Sequence, residues 1–150
     1  MNLLFRSRVL VVSLLVSFSA SLVFAENEII TLPIKDALAS EAAEEELLEG
    51  IDYFWGDQKH AKPSEVFETD SIVGRKSKFR REIDYACTLA FVDTLLVLQK
   101  KSRDMGGNAV TNIVSNFDHK PWSSETEYQC VIGSTVVAVG LRGTFILLED

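Results

Sequence analysis

The segment from residue 80 to residue 105 constrains the fold most strongly, because its apolar residues recur at the spacing of an α-helix. These residues follow one another at steps of four, four, four, three and seven positions: Ile83, Cys87, Phe91, Leu95, Leu98 and Met105. Acidic residues open the segment and basic residues close it, in the order that the helix dipole favours. The pattern predicts a long amphipathic helix that buries this face against a second layer of structure.

Five other segments have the composition or the alternation of β-strands. They are residues 51–56, 66–73, 108–117, 125–132 and 144–148. In the fourth of these, Tyr128 and Cys130 alternate with polar residues, which predicts a half-buried strand with Cys130 facing inward. Gly133 and Gly140 suggest bulges in a valine-rich continuation of this strand. The pair Arg142-Gly143 predicts a turn before the last strand.

A second helix is predicted near the N-terminus. Residues 36–50 are rich in Ala, Glu and Leu, and Gly50 is a natural helix stop. All of these elements together predict an α+β fold over residues 26–150, a single domain long enough to bury a core. We expect a small, mostly antiparallel sheet with the long helix packed on one face.

The first 25 residues have the pattern of a secretory signal peptide. Arg6 and Arg8 form a positive start, Val9 to Phe18 form a short apolar core, and small residues precede a cleavage point after Ala25. The apolar core is shorter than the ~20 residues that a spanning helix needs. The pattern therefore predicts export to the periplasm and no membrane span in the mature chain.

The charge balance argues against nucleic acid and anionic lipid as partners. The chain has 15 Lys and Arg against 22 Asp and Glu, a net charge of −7. Loss of Arg6 and Arg8 with the signal peptide would make this −9. Binding to phosphates requires basic side chains to neutralise them, so we expect no nucleic-acid partner.

Two cysteines, Cys87 and Cys130, are present. An even number in an exported protein predicts a disulfide, because the compartment is oxidising. Cys87 lies on the apolar helical face, and Cys130 lies on the inward face of its strand with Tyr128. Both thiols therefore point into one helix–sheet interface, which predicts the pair Cys87–Cys130. Two separate buried thiols are the alternative.

The paired glycines Gly106 and Gly107 resemble a phosphate-binding loop only superficially. A dinucleotide site needs a strand, the glycines and then a helix, whereas here the helix comes first. The glycines would then stand at the negative end of the helix, which repels phosphate. We predict a helix C-cap instead. The nearest fragment to an ATP-binding P-loop, residues 73–77, lacks the required lysine and upstream glycine.

No catalytic, metal or cofactor site is predicted, but two residues are candidates for contact with a partner. His60 and His119 alone are too few for a structural zinc site. His119 with Asp118 could form a surface copper or zinc site, which stays an alternative. Trp122, in a polar loop, is a possible anchor for a partner, as is His119, although packing of Trp122 is the alternative.

Several short phrases resemble a known group of proteins. Gly107-Asn108-Ala109-Val110, entered from a long helix and followed by residues 128–134 (Tyr-Gln-Cys-Val-Ile-Gly-Ser), resembles the Rcs envelope-stress sensor lipoprotein and the YbjQ-type domains. The whole chain more closely resembles small secreted proteobacterial proteins, often mislabelled as an excinuclease ATPase subunit. Further shared phrases are Leu32-Pro33, residues 54–58 (Phe-Trp-Gly-Asp-Gln), Ala86-Cys87, Ala90-Phe91 and Leu98-Gln99. The resemblance implies the fold of these domains.

The leading functional prediction is a non-catalytic periplasmic module that binds an envelope component or self-associates. A small-ligand or metal-binding domain of the YbjQ type is the alternative, which the resemblance implies. An enzyme ranks third, because the sequence contains no recognisable catalytic constellation.

Overall fold

The computed structural model describes residues 27–149, so the signal peptide predicted in residues 1–25 lies outside the described residues. The strands in this range are β1 (Glu28–Pro33), β2 (Asp52–Trp55), β3 (Glu65–Ser77), β4 (Ala109–Ser115), β5 (Glu127–Ile132) and β6 (Val136–Leu147). The helices are α1 (Ile34–Leu38), α2 (Glu41–Glu46) and α3 (Ile83–Asp104), with a 3₁₀ turn at Phe117–His119.

The strands form one mixed sheet with β6 at its centre. β3 runs antiparallel to β6 along one side. On the other side, β5 pairs with the first residues of β6 and β4 pairs with the last ones. β1 extends the sheet beyond β5, and β2 extends it beyond β4. Every pairing except the parallel β2–β4 is antiparallel, so the predicted α+β fold with a mostly antiparallel sheet is confirmed.

α3 packs on one face of the sheet, here called the inner face. The residues buried between them include Phe91, Leu95 and Leu98 of α3 and Val137, Val139, Leu141 and Phe145 of β6. The helix approaches β3 closely at Gly74, where an added Cβ would lie 2.8 Å from the carbonyl oxygen of Ala90. Thr94 Oγ1 donates a hydrogen bond to Val139 O at 3.2 Å. These contacts hold α3 above β3 and β6.

Cys87 of α3 and Cys130 of β5 meet in this interface, and both are fully buried. Their Cα atoms are 5.9 Å apart, a separation typical of a disulfide, and their Sγ atoms are at bonding distance. The predicted proximity of the two cysteines is confirmed. The link ties the first turns of α3 to the strand that carries Tyr128.

The paired glycines Gly106 and Gly107 cap the C-terminal end of α3. Gly106 adopts a left-handed conformation with φ of 87°, which costs glycine little. The Gly107 N–H donates to Ser102 O at 2.8 Å, and the Gly106 N–H donates to Arg103 O at 3.0 Å. These two bonds form a Schellman cap. The predicted structural role of the glycines is confirmed.

The turn predicted at Arg142-Gly143 is wrong, because β6 continues without a break through both residues. Here Gly143 is paired with Asp70 of β3, and Arg142 is paired with Val114 of β4. Pairing on both sides outweighs the local preference of these residues for a turn. Gly143 instead makes room for Val110, whose Cγ1 would lie 2.5 Å from an added Cβ.

The bulges predicted at Gly133 and Gly140 are also wrong. Gly133 lies in the turn between β5 and β6, and Gly140 lies within the regular pairing of β6 with β3. Register shifts occur elsewhere, in β3 between Val66 and Thr69 and in β4 between Thr111 and Val114. Glycine is needed at 140 for a different reason, a close approach of the backbone that is described below.

The predicted helix at residues 36–50 is two short helices, α1 and α2. The break falls at Ser40, whose Oγ accepts a hydrogen bond from the Ala43 N–H and so caps α2. Serine is a strong N-cap, and this local bond competes with a continuous helix. Within residues 27–149, no helix has both the length and the apolar character needed to cross a bilayer.

Tyr128 carries a buried hydroxyl that leads to a prediction. Among the described residues no group bonds this hydroxyl with good geometry. Burial raises the pKa of Tyr128 to about 12, and Thr88 offsets part of this rise. An unpartnered buried polar group costs about 1–3 kcal/mol. We therefore expect Tyr128→Phe to raise the free energy of unfolding by about 1 kcal/mol in urea denaturation at neutral pH.

The pH dependence provides a second readout for the same variant. The pKa of Tyr128 rises from 10.0 to about 12 on folding, so the folded state favours the protonated hydroxyl. Ionisation of Tyr128 therefore does not lower the free energy of unfolding below pH 10, but lowers it as the pH rises from 10 toward 12. The variant should lose less stability over this interval. Tyr53→Phe is the contrast, because the Tyr53 hydroxyl accepts a hydrogen bond from Gln99 Nε2 and its loss should destabilise the fold. A destabilised Tyr128→Phe would contradict the prediction.

Candidate binding surface

The sheet face opposite α3, here called the outer face, has no helix on it within residues 27–149 apart from the short 3₁₀ turn. The strand register sets Ile29 of β1 beside Val131 of β5, Val131 beside Ala138 of β6, and Ala138 beside Arg75 of β3. Ile29 is 55% exposed, and Val136 of β6 is also exposed on this face. A row of apolar side chains thus crosses the sheet and ends at an arginine. Its middle members, Val131 and Ala138, are buried, so the exposed apolar side chains are Ile29 and Val136.

The 3₁₀ turn Phe117–His119 is the element that lies on the outer face. Its backbone passes directly over Gly140, where an added Cβ would lie 2.8 Å from the nitrogen of Phe117. The Asn116 N–H donates to Gly140 O at 2.8 Å and fixes the turn in place. Only glycine at 140 therefore allows the turn to sit this close to the sheet.

The turn itself is conformationally unusual. Asp118 and His119 both have positive φ, 53° and 56°, which non-glycine residues adopt rarely. Such conformations cost free energy and often accompany functional segments. Their effect here is to hold Phe117 half-buried against the sheet while Asp118, His119 and Lys120 remain exposed.

Phe117 divides the outer face into grooves. On one side, a groove of about 240 Å³ is floored by Ile29 and Val131 and rimmed by Asp118 and Lys120. Lys120 and Asp118 form an exposed ion pair at 3.6 Å, which contributes little to stability. The floor is apolar and the rim carries both signs of charge, as in many protein interfaces.

On the other side of Phe117 lies a more polar pocket of about 250 Å³, lined by Ser71, Val73, Arg75, Asn116, Phe117, Asp118 and His119. Asn116 is only 6% exposed. Its Nδ2 donates to Ser71 Oγ at 3.0 Å, but its Oδ1 has no partner among the described residues. The pocket is therefore lined by an arginine, a histidine and an asparagine whose Oδ1 is buried.

A larger depression of about 490 Å³ lies elsewhere, between α1 and residues 125–126. Trp55 contributes to its wall but is itself buried and stacked on Phe91, with ring centroids 5.6 Å apart. The depression thus borders the aromatic core and contains neither of the unpartnered polar atoms found in the described residues. The outer face is the better candidate for binding.

The two residues predicted as partner contacts have different surroundings. His119 is exposed and lines the polar pocket on the outer face. Trp122 is half-buried, and its backbone is paired with Ser115 by hydrogen bonds of 2.8 and 3.0 Å. It is not among the residues that line the grooves around Phe117. The structure therefore brings His119 together with Arg75 and Asn116 and leaves Trp122 apart from them.

Sequence reasoning missed Phe117, Asn116 and Arg75. The run Asn-Phe-Asp-His at 116–119 contained one usable signal, since Asn, Asp and His adopt left-handed conformations more readily than other residues. That signal could have predicted a tight turn after β4. It could not have shown that the turn lies over Gly140, because the turn and this glycine are far apart in the chain and belong to different elements.

The described residues contain no group of three or more His, Cys, Asp or Glu side chains that could hold a metal ion. The chain matches no protein-family model, no curated protein and no solved structure. The resemblance to the Rcs stress sensor, the YbjQ-type domains and the small secreted proteins therefore stays a prediction from short sequence phrases.

Proposed function

We propose that this chain is a non-catalytic module of the periplasm that binds another protein of the cell envelope through its outer face. Two observations support the location. Residues 1–25 have the pattern of a signal peptide, and the Cys87–Cys130 pair has the geometry of a disulfide, which persists in oxidising compartments.

The observation that carries the proposal is the pair of exposed apolar side chains, Ile29 and Val136, that flank Phe117 on the outer face. Exposed apolar patches with a polar rim mark interaction sites on soluble domains. Here Ile29 and Val136 stay exposed while a strained turn presents Phe117 between them. The groove beside Phe117 is suited to an apolar side chain of a partner, and its rim of Asp118 and Lys120 is suited to polar groups around that anchor.

The charge of the chain supports a protein partner over other classes. A net charge of −7 repels both nucleic acid and anionic lipid headgroups. Arg75, Asp118 and Lys120 are mixed in sign, so the outer face lacks, among the described residues, the continuous basic patch that phosphate binding requires.

Photo-crosslinking in the periplasm tests this proposal. A photoreactive residue is placed at Ile29 on the outer face, and separately at Tyr85 on α3 as a matched control. Both side chains are 55% exposed, so they are equally accessible to random collisions. We expect a discrete heterologous adduct from position 29 only, and a weaker adduct when Phe117→Ala is added.

Two further readouts complete the experiment. The mass of the protein recovered from the periplasm should correspond to a chain that begins at Glu26. The same adducts from positions 29 and 85, or no heterologous adduct from position 29, would contradict the outer face as the contact surface. Retention of the chain with Met1 in the membrane fraction would contradict the location.

A small polar ligand or a metal ion is the second candidate, and Asn116 is the observation that favours it. Asn116 lines the same pocket as His119 and Asp118, and its Oδ1 is buried without a hydrogen-bond partner among the described residues. Calorimetric titration with Zn²⁺ and Cu²⁺ tests the metal version. Binding that is lost in His119→Ala and retained in His60→Ala would support it, whereas equal titrations in both variants would count against it.

A further inference from the structure

β3 presents a long free edge. Among the described residues it pairs only with β6. Lys78 donates its N–H to Thr135 O at 3.2 Å, and backbone groups alternate in direction along an antiparallel strand. The residues that direct their N–H and C=O groups away from β6 are therefore Thr69, Ser71, Val73, Arg75 and Ser77. Such an edge can template another strand unless it is blocked.

The regular part of this edge is self-complementary. It extends from Thr69, just after the register shift, to Ser77, and its midpoint is Val73. An antiparallel copy of the same strand, paired around Val73, sets Asp70 opposite Lys76 of the second copy. The same register sets Ser71 opposite Arg75 of the second copy. Opposite charges meet, and no like charges do.

The side chains of α3 show the same complementarity of charge about a midpoint. Asp93, Val97 and Lys101 lie four residues apart and form a stripe above β3, because Lys76 contacts Asp93 at 2.6 Å and Lys101 donates to Asp70. The midpoint of this stripe is Val97, which is apolar and 37% exposed. A two-fold axis that is perpendicular to the sheet and lies between Val73 and its copy therefore also passes close to Val97.

We propose that two copies of the chain associate through β3, antiparallel around Val73, with their α3 helices side by side around Val97. In this arrangement Asp93 lies opposite Lys101 of the second copy. Since α3 lies above β3 and β6, the helices would be about two strand spacings apart, about 10 Å, which is a normal helix packing distance.

The dimer would be a continuous sheet across both copies. A two-fold axis perpendicular to the sheet keeps both outer faces on the same side, so the two Phe117 turns would share one surface. Charges on an edge strand commonly prevent pairing. On this edge their order along the strand favours pairing with a second copy, because the acidic residue precedes the midpoint and the basic residue follows it.

A charge exchange tests the register. Asp70→Lys would set the introduced lysine against Lys76 of the second copy, and Lys76→Asp would set the introduced aspartate against Asp70. Each variant alone should self-associate at least about tenfold more weakly in sedimentation velocity. A mixture of the two should form a heterodimer, because every opposed pair is then of opposite sign. Unfolding of the variants cannot produce this recovery of dimerisation in the mixture. A mixture that stays monomeric while the wild type dimerises would overturn the register.

A proline provides a second, independent test. Val73→Pro removes an N–H that faces the free edge and leaves the hydrogen bonds to β6 intact. We expect a folded monomer, with folding checked by near-ultraviolet circular dichroism. Wild-type protein that is monomeric at every concentration would overturn the inference. A dimer that persists in Val73→Pro would also overturn it. Neither outcome depends on the envelope partner, since both measurements use purified protein.

Discussion

Phe91→Ala is expected to lower the free energy of unfolding by about 3–5 kcal/mol. Phe91 is fully buried on α3 and lies between two aromatic rings from different strands. Its ring stacks on Trp55 of β2 at 5.6 Å between centroids and packs on Tyr128 of β5 at 4.3 Å. Alanine would leave a cavity where the helix contacts strands from different parts of the sheet, and both aromatic contacts would be lost.

Urea denaturation followed by tryptophan fluorescence measures this loss. Tyr85→Ala is the matched control, because it removes an aromatic side chain of similar size from the exposed side of the same helix. Its cost should stay within about 0.5 kcal/mol. If the two variants had equal stability, α3 would not be packed on the sheet through Phe91.

Reduction of the Cys87–Cys130 link is expected to lower the free energy of unfolding by about 4 kcal/mol. The two residues are 43 positions apart, so the link closes a long loop and removes much of the entropy of the unfolded chain. Both side chains are buried, and reduction leaves the side-chain volumes almost unchanged. The comparison of oxidised with reduced protein therefore isolates the effect of the link.

The double variant Cys87→Ala, Cys130→Ala complements this comparison. It should unfold at a urea concentration no higher than the reduced protein does, because small cavities add to the loss of the link. Peptide mapping of periplasmic protein without reductant should recover one linked peptide pair. Two thiols that react with an alkylating agent after denaturation would show that the link does not form in the cell.

The inner face of the molecule could be predicted from the sequence because its patterns are local. The apolar period that includes Cys87 and Phe91 specified α3 to within three residues at its start and one at its end. The alternation of Tyr128 and Cys130 specified which side of β5 is buried. A helix face and a strand face that must both be buried can pack against each other in few arrangements. The pairing of Cys87 with Cys130 follows from this packing.

The errors occurred where distant segments overrule local preference. Arg142-Gly143 is a typical turn pair, yet it lies in the central strand, where β3 and β4 supply partners on both sides. A neighbouring strand's hydrogen bonds are worth more than the turn propensity of two residues. The sequence around Gly140 predicts a bulge, whereas this glycine allows the backbone of Phe117 to approach the sheet closely.

The binding surface was predicted only as single residues. The sequence predicts His119 as a possible contact with a partner or, with Asp118, as an alternative metal site, and the structure places it in a pocket with Arg75 and Asn116. These residues come from different elements, and no periodicity along the chain connects them. The self-complementary order of Asp70 and Lys76 is present in the sequence. It predicts pairing with a second copy only when β3 is known to be an edge strand.

The long helix, its glycine cap and the inward direction of both cysteines follow from the sequence, because these features depend on backbone geometry and on the burial of apolar side chains within one segment. Three other features became visible only in the folded chain: β6 is central, β3 has a free edge and the turn with Phe117 lies on the outer face. Those features depend on contacts between residues far apart in the chain, such as Gly140 with Phe117, and local propensities carry no information about such contacts.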